Sequence, residues 1–293
     1  MEEKRTERLS DLSTMKEILG RHGFTFSKAL GQNFLINPSV CPRMAEMCGA
    51  DETSGVLEVG PGIGVLTREL AARAQKVVAI ELDTRLLPVL AETLADYPNA
   101  SVVHGDVMKL DLAELIRREF AGMQVAVCAN LPYYITSPVI MKILEEKLPI
   151  TALTVMVQKE AADRICAKPG TRACGAVSAA VQYYAEPEVL FQVSRGSFMP
   201  APNVDSTVIR LNVRPQPPVQ LKSEEHFFRL VKAAFGQRRK TAQNAVSSGM
   251  GLPKAQVAAA MERAGIGANA RAEQMTLEML AAFSNELLSL TNS

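Results

Sequence analysis

Histidine and cysteine are scarce in this 293-residue chain, which has three histidines and five cysteines (Cys41, Cys48, Cys128, Cys166 and Cys174) and no Cys-x-x-Cys pair. That distribution argues against a zinc site or a disulfide framework, and an odd number of thiols suits a reducing compartment. No metal is expected. No apolar run approaches the roughly 18 residues that a membrane-spanning helix needs, and the charged opening Met-Glu-Glu-Lys-Arg does not read as a secretory signal. Low hydrophobicity is missing too: 47% of residues are hydrophobic and 22% charged, which excludes disorder as the main state. At roughly 100–200 residues per domain, the length suits one large domain or two unequal ones. The expectation is a soluble, cytoplasmic protein without a membrane partner.

A strong net charge is also absent, the balance being +1, but the charge is unevenly spread. Residues 1–219 hold 23 basic against 25 acidic side chains, and residues 220–293 hold 9 against 6. Arg229, Lys232, Arg238, Arg239 and Lys240 fall together with no acid among them. Phosphate is the usual reason for such local density, and a solvated helix face is the bland alternative.

The clearest break is Arg214-Pro215-Gln216-Pro217-Pro218, where a helix or central strand cannot continue. Before it, β-branched runs at 56–59, 77–80, 101–104, 125–128 and 153–157 alternate with helical patterns such as 66–74 and 84–94. That alternation predicts βαβ units and a parallel sheet. Two further strands, 189–193 and 207–213, have no helix between them. After the break, 225–235, 253–264 and 277–288 read as helices. The expected domains are 1–215 and 220–293.

Val56-Leu57-Glu58-Val59-Gly60-Pro61-Gly62-Ile63-Gly64 reads as strand, glycine turn, then helix. Glycines permit positive φ and let backbone N–H groups approach a ligand. Glu81 ends the next strand, where an acid can bind both ribose hydroxyls. Val65 stands where the dinucleotide fingerprint needs its third glycine, which disfavours a nicotinamide dehydrogenase. Glu58, at the loop entrance, repels pyrophosphate and welcomes a cation, so S-adenosylmethionine (SAM), with its sulfonium and ammonium, fits better. Gly105-Asp106 closes the third strand, where a carboxylate can accept from an adenine amino group; a plain turn or helix cap reads equally well.

Asn130-Leu131-Pro132-Tyr133 follows the fourth strand. Its chemistry suits methyl transfer to an exocyclic amine, a poor nucleophile whose lone pair is delocalised into its ring. The Asn130 side-chain oxygen and the Leu131 or Pro132 carbonyl can hold both N–H bonds, and Tyr133 can stack on the base. That is positioning plus electrostatics.

Five ordered stretches then carry a resemblance: Leu30-Gly31-Gln32-Asn33-Phe34-Leu35, Glu58-Val59-Gly60-Pro61-Gly62, Asn130-Leu131-Pro132-Tyr133, Phe198 to Ser206, and Phe235 to Thr241. Over nearly its whole length the chain resembles the ribosomal RNA adenine dimethyltransferases of the bacterial small-subunit type. The resemblance implies an α/β fold, a Rossmann-like class I SAM-dependent methyltransferase sheet with a small C-terminal helical domain. It implies dimethylation of N6 of two adjacent adenosines in a hairpin loop near the 3′ end of 16S rRNA, in the immature 30S subunit; separately, no exposed heptad seam in the sequence suggests a dimer, so a monomer is expected. By the same resemblance Gln32, Asn33 and Leu35 cover the methionine end of SAM, and Gly60 and Gly62 meet it with backbone. Glu81 takes the ribose, Asp106 with Val107 takes the adenine ring, and Asn130 also touches the methionine moiety. Asn130, Leu131, Pro132 and Tyr133 hold the target base, and Phe198 packs on its other side; prolines at 200 and 202 stiffen the loop that presents Phe198, for which a hydrophobic plug is the bland alternative. Arg238, Arg239 and Lys240 meet rRNA phosphates. One departure stands out: members of this type often have asparagine after the tetrapeptide, where this chain has Tyr134, and a second tyrosine changes the expected width of the pocket.

Two competing readings are a large-subunit rRNA adenine methyltransferase of the macrolide-resistance type and a catalytically silent nucleic-acid-binding assembly factor. Leu131, where the former usually has isoleucine, weighs against the first. The intact set Glu58, Glu81, Asp106 and Asn130 weighs against the second.

Overall fold

The computed structural model describes residues 8–25, 33–237 and 239–291. In chain order, helix α1 (Leu12–Arg21) is followed by strand β1 (Phe34–Leu35), α2 (Val40–Met47), β2 (Gly55–Val59), α3 (Val65–Ala71) and β3 (Lys76–Glu81). Next come α4 (Leu87–Thr93), β4 (Ala100–His104), α5 (Leu112–Glu119), β5 (Val125–Asn130), α6 (Thr136–Glu145) and β6 (Ala152–Gln158). Then follow α7 (Lys159–Ile165), α8 (Ala176–Tyr184), β7 (Ala185–Val193), β8 (Phe198–Met199) and β9 (Ser206–Val213). The chain closes with α9 (Glu224–Phe235), α10 (Ala242–Met250), α11 (Lys254–Arg263) and α12 (Leu277–Thr291).

Seven strands form one sheet in the order β4-β3-β2-β5-β6-β9-β7. The pairs from β4 through β6 are parallel, and β9 runs antiparallel to β6. All five residues of β2 are buried, as expected of a central parallel strand covered on both faces. One face packs Cys41 and Met44 of α2, Cys48 just after it, and Leu66 and Leu70 of α3 over Val56, Cys128, Met156 and Val208. A second cluster gathers Met15, Ile18 and Leu19 of α1 with Phe34, Ile63, Leu86 and Leu90. Side-chain caps set helix starts: Asp111 accepts from the Glu114 N–H at 2.8 Å ahead of α5, and Ser223 from the His226 N–H at 3.2 Å ahead of α9. The α/β class and the parallel sheet are as the alternation predicts. A separate antiparallel ribbon of β1 and β8 was not foreseen, nor were α8 and α10.

The described chain divides into two compact units, one running to Ala162 and taking in Glu188–Val213, the other joining Asp163–Pro187 to Arg214 and beyond. The expected division near 215–220 therefore needs correction, because residues 163–187 pack with the C-terminal helices. The cause is aromatic. Tyr184 stacks on Phe228 at 5.4 Å between centroids, and Tyr183 lies 5.7 Å from Phe227. Both tyrosine hydroxyls donate to Glu224, at 2.7 Å from Tyr184 and 3.3 Å from Tyr183. Among the described residues no helix is long and apolar enough to cross a membrane.

Gly55 opens β2 beneath Phe120, and a Cβ there would lie 2.2 Å from the ring's Cδ1. Phe120 is itself buried and cannot swing into solvent. Gly55→Ala is expected to destabilise the fold by about 1–3 kcal/mol, an overpacking cost. Thermal unfolding checks this. The loss should shrink in a Phe120→Leu background, and an equal loss there would assign the effect to the backbone instead.

Candidate active site

The turn after β2 brings three glycines into the left-handed region, Gly60 at φ 73°, Gly62 at 60° and Gly64 at 88°. Side chains rarely adopt that conformation, and at Gly62 a Cβ would also lie 3.0 Å from the Phe34 ring. The Gly60 N–H donates to the Ile80 carbonyl at 3.0 Å, which ties the loop to the end of β3. There Glu81 is buried, and its Oε1 accepts from the Asp83 N–H at 2.7 Å. Burial pushes the Glu81 carboxyl above the usual carboxylate range. One strand further out, Asp106 Oδ1 accepts from the Met108 N–H at 2.9 Å. This closes a short turn beyond β4 and leaves Oδ2 3.7 Å from the exposed Lys109 ammonium.

On the other side of β2, Asn130 ends β5 and is half-buried. Leu131 is buried, and Tyr133 opens a single 3₁₀ turn. The Tyr133 hydroxyl lies 2.9 Å from Ser206 Oγ, fixing the ring against the start of β9. The Pro132 carbonyl already accepts from the Ile135 N–H at 3.1 Å and the Thr136 hydroxyl at 3.3 Å. Phe198 reaches the same place through the β1–β8 ribbon, where it pairs with Leu35.

One cavity gathers nearly all of the expected residues. Asn33, Leu35, Gly60, Gly62, Glu81, Asp106, Val107, Asn130, Leu131, Pro132, Tyr133 and Phe198 line it. Phe198 is at once a cavity wall and a member of the core beneath, only 3% exposed, so the two readings of it coincide. Gln32 and Arg238 lie outside the described residues. Arg239 and Lys240 lie elsewhere, exposed in the turn between α9 and α10. Phe34, Cys41 and Tyr134 also line the cavity. The pairing that brings in Phe34 is two residues long and leaves no periodic signal, and the Ser206 partner of Tyr133 is likewise a tertiary contact.

The electrostatics are one-sided. Glu58, Glu81 and Asp106 line the cavity, and the described lining contains no lysine, arginine or histidine. Glu58 is the extreme case. It is 1% exposed, and among the described residues its buried Oε2 makes no hydrogen bond of normal geometry, the nearby Thr67 hydroxyl offsetting its burial only in part. Burial, reinforced by the charge of Glu81, pushes its pKa up to about 8. Such a pocket disfavours a phosphate and has an unmet demand for a cation or a donor. Among the described residues no group of three or more His, Cys, Asp or Glu side chains is placed to hold a metal ion.

A carboxyl whose pKa is raised by folding binds its proton more tightly in the folded chain. Its contribution to stability is fully present below about 4.5 and is lost as pH rises through about 8. Between those values wild type is expected to lose stability relative to Glu58→Gln, with a slope approaching about 1.4 kcal/mol per pH unit. Denaturant unfolding of both proteins at several pH values measures the difference. A difference that does not change with pH would mean that Glu58 is ionised throughout.

Comparison with known proteins agrees with this geometry. The profile of the family described as ribosomal RNA adenine dimethylase matches residues 23–288. A protein of Geobacillus thermodenitrificans named ribosomal RNA small subunit methyltransferase A is 50% identical over 281 residues, covering 94% of this chain and 95% of its own. One of the same name from Alkaliphilus oremlandii is 48% identical over 282 residues, covering 96% and 98%. Among solved structures, the 23S rRNA methyltransferase ErmE superposes with a TM-score of 0.66 at 30% identity, covering 87% of this chain and 99% of its own. A dimethyladenosine transferase from Plasmodium falciparum gives 0.74 at 22% identity, covering 88% and 98%, a likeness of fold alone. With a family match across most of its length and relatives at half identity, the chain belongs to the ribosomal RNA adenine dimethylases, a family of SAM-dependent methyltransferases.

Proposed function

We propose that this protein dimethylates N6 of two adjacent adenosines in a hairpin loop near the 3′ end of 16S rRNA, in the immature 30S subunit. It acts as a cytoplasmic monomer, with SAM as methyl donor and without a metal. The observation that carries the reading is the cavity itself, three carboxyl side chains and no basic group in its described lining beside an Asn-Leu-Pro-Tyr turn.

The residues present fit SAM. Its positive charge meets the demand left by Glu58, whose Oε2 makes no hydrogen bond of normal geometry among the described residues. Glu81, whose Oε1 is held by the Asp83 N–H, takes the ribose hydroxyls. Asp106 and Val107 face the adenine, and Asn33, Leu35 and the glycine turn take the methionine end, with Gln32. When bound, SAM supplies an electrophilic methyl group.

The protein's own part is to hold the amine. The Asn130 side-chain oxygen accepts one N6–H. The Pro132 carbonyl has both lone pairs engaged by Ile135 and Thr136, so the second acceptor is the Leu131 carbonyl. Held between two acceptors, the nitrogen moves toward a tetrahedral shape and its lone pair is freed for attack. Tyr133 and Phe198 flank the ring, and extrusion of the base from a single-stranded loop is what brings it there.

The RNA grip lies in the second unit. It carries 13 basic against 8 acidic side chains, whereas the first carries 19 against 23. Arg239 and Lys240, with Arg238, precede α10, whose first turn has no acid to repel phosphate.

Two experiments test the reading. Asn130→Ala is expected to cut single-turnover methylation of undermethylated 30S subunits, at saturating SAM, by ~10²-fold or more, as loss of one preorganised hydrogen bond does elsewhere. Subunit binding should survive. Near-wild-type dimethyladenosine, read by mass spectrometry, would reduce the tetrapeptide to a turn, and activity on 50S rather than 30S subunits would favour the large-subunit alternative. Alanine at 238, 239 and 240 together is expected to lower the log–log salt slope of subunit binding, by about 0.7–0.9 per lost phosphate contact. SAM affinity should not change. An unaltered slope would make the cluster a solvated face.

A further inference from the structure

Among the described aromatic side chains Tyr134 alone is exposed, at 56%; the other rings are buried or half-buried. It follows Tyr133 directly and lines the same cavity. The backbone beneath it is held on both sides, by the Tyr133 hydroxyl on Ser206 and by the Ile135 N–H on the Pro132 carbonyl. Among the described residues no hydrogen bond engages its own hydroxyl. The ring is therefore fixed at its base and bare on its face. Two of the other three exposed large apolar side chains, Leu82 and Met108, follow β3 and β4 at the same carboxyl edge of the sheet.

The occupant can be narrowed by charge and by covalent connection. The acidic lining offers nothing to a phosphate. A base drawn into the cavity remains joined to its neighbour in the chain, and consecutive Cα atoms about 3.8 Å apart put Tyr134 one step from the ring that flanks the target. Neutral π-faces meet at that point, and aromatic stacking is how proteins hold unpaired bases.

We propose that Tyr134 is a stacking platform for the base next to the target adenosine, and so a residue that determines which sequence context is methylated. The inference rests on the rRNA reading above and adds a second base site to it.

Undermethylated 30S subunits test it, with dimethylation at each adenosine quantified by mass spectrometry. Tyr134→Ala is expected to lower kcat/KM roughly 10-fold, mainly through KM, in line with the stacking lost per base. Tyr134→Phe should behave as wild type, and SAM affinity should be unchanged in both. In subunits whose neighbouring adenosine is replaced by uridine, wild type should lose several-fold at the remaining adenosine while Tyr134→Ala loses nothing more. A wild-type kcat/KM for Tyr134→Ala would overturn the platform, as would losses from the two changes that simply multiply, and either would leave the methyltransferase reading standing. No methylation of subunits by wild type would overturn that reading and the platform with it.

Discussion

Hydrogen bonding between parallel strands holds four carboxyl ends level, with Val59 between Ile80 and Ala129 and Glu81 opposite His104. A parallel ladder fixes register along the whole strand, so groups distant in sequence reach one edge without contacting one another. The acid after β3, the Gly-Asp turn after β4 and the asparagine of β5 are placed this way, around the glycine loop that leaves β2. The β1–β8 ribbon then closes the cleft, carrying Phe34 and Phe198 on paired strands. If the register slipped by one residue, inward side chains would turn to the other face of the sheet, and the cavity would lose its acids together.

The same arrangement accounts for the electrostatic oddity at its centre. Glu58 is a β2 residue, paired with Ala79 and Cys128, and its side chain shares a face with the apolar groups beneath α2 and α3. A carboxyl in that position is destabilising for folding alone, because burial disfavours its ionised form and its Oε2 makes no hydrogen bond among the described residues. Local rules are broken in native proteins mostly where function requires it. The violation falls at the entrance of the glycine loop, which makes it a property of the site and not of the core.

Much of this was legible in the sequence, and the boundary of what was not is physical. Strands such as 77–80 and 125–128 are short β-branched runs, and the glycine loop and Asn-Leu-Pro-Tyr carry their meaning in adjacent residues. Of the residues that line the cavity, Glu58, Gly60, Gly62, Glu81, Asp106 and Asn130 to Tyr133 stand in those motifs, whereas Asn33, Leu35, Val107 and Phe198 were expected from the family resemblance alone. The allegiance of residues 163–187 did not, because it depends on Tyr183 and Tyr184 finding Phe227, Phe228 and Glu224 across some forty residues. A two-residue ribbon has no period to detect. Nor does local sequence say that the Pro132 carbonyl is already engaged by the Ile135 N–H and the Thr136 hydroxyl.

The paired tyrosines show why a motif read as a string stops short of a site. Tyr133 and Tyr134 are chemically identical and adjacent, yet they lie in a 3₁₀ turn of three residues. With three residues per turn, successive side chains point about 120° apart, so the two rings meet the cavity they both line from different directions. The turn is locked at its start by Pro132 and closed by the Ile135 N–H on the Pro132 carbonyl. With the backbone fixed, Tyr133 is directed to Ser206 and Tyr134 outward to the rim. An asparagine at 134 would present a small polar group there without altering the turn. The place of Tyr133 can therefore stay constant while the exposed position beside it varies.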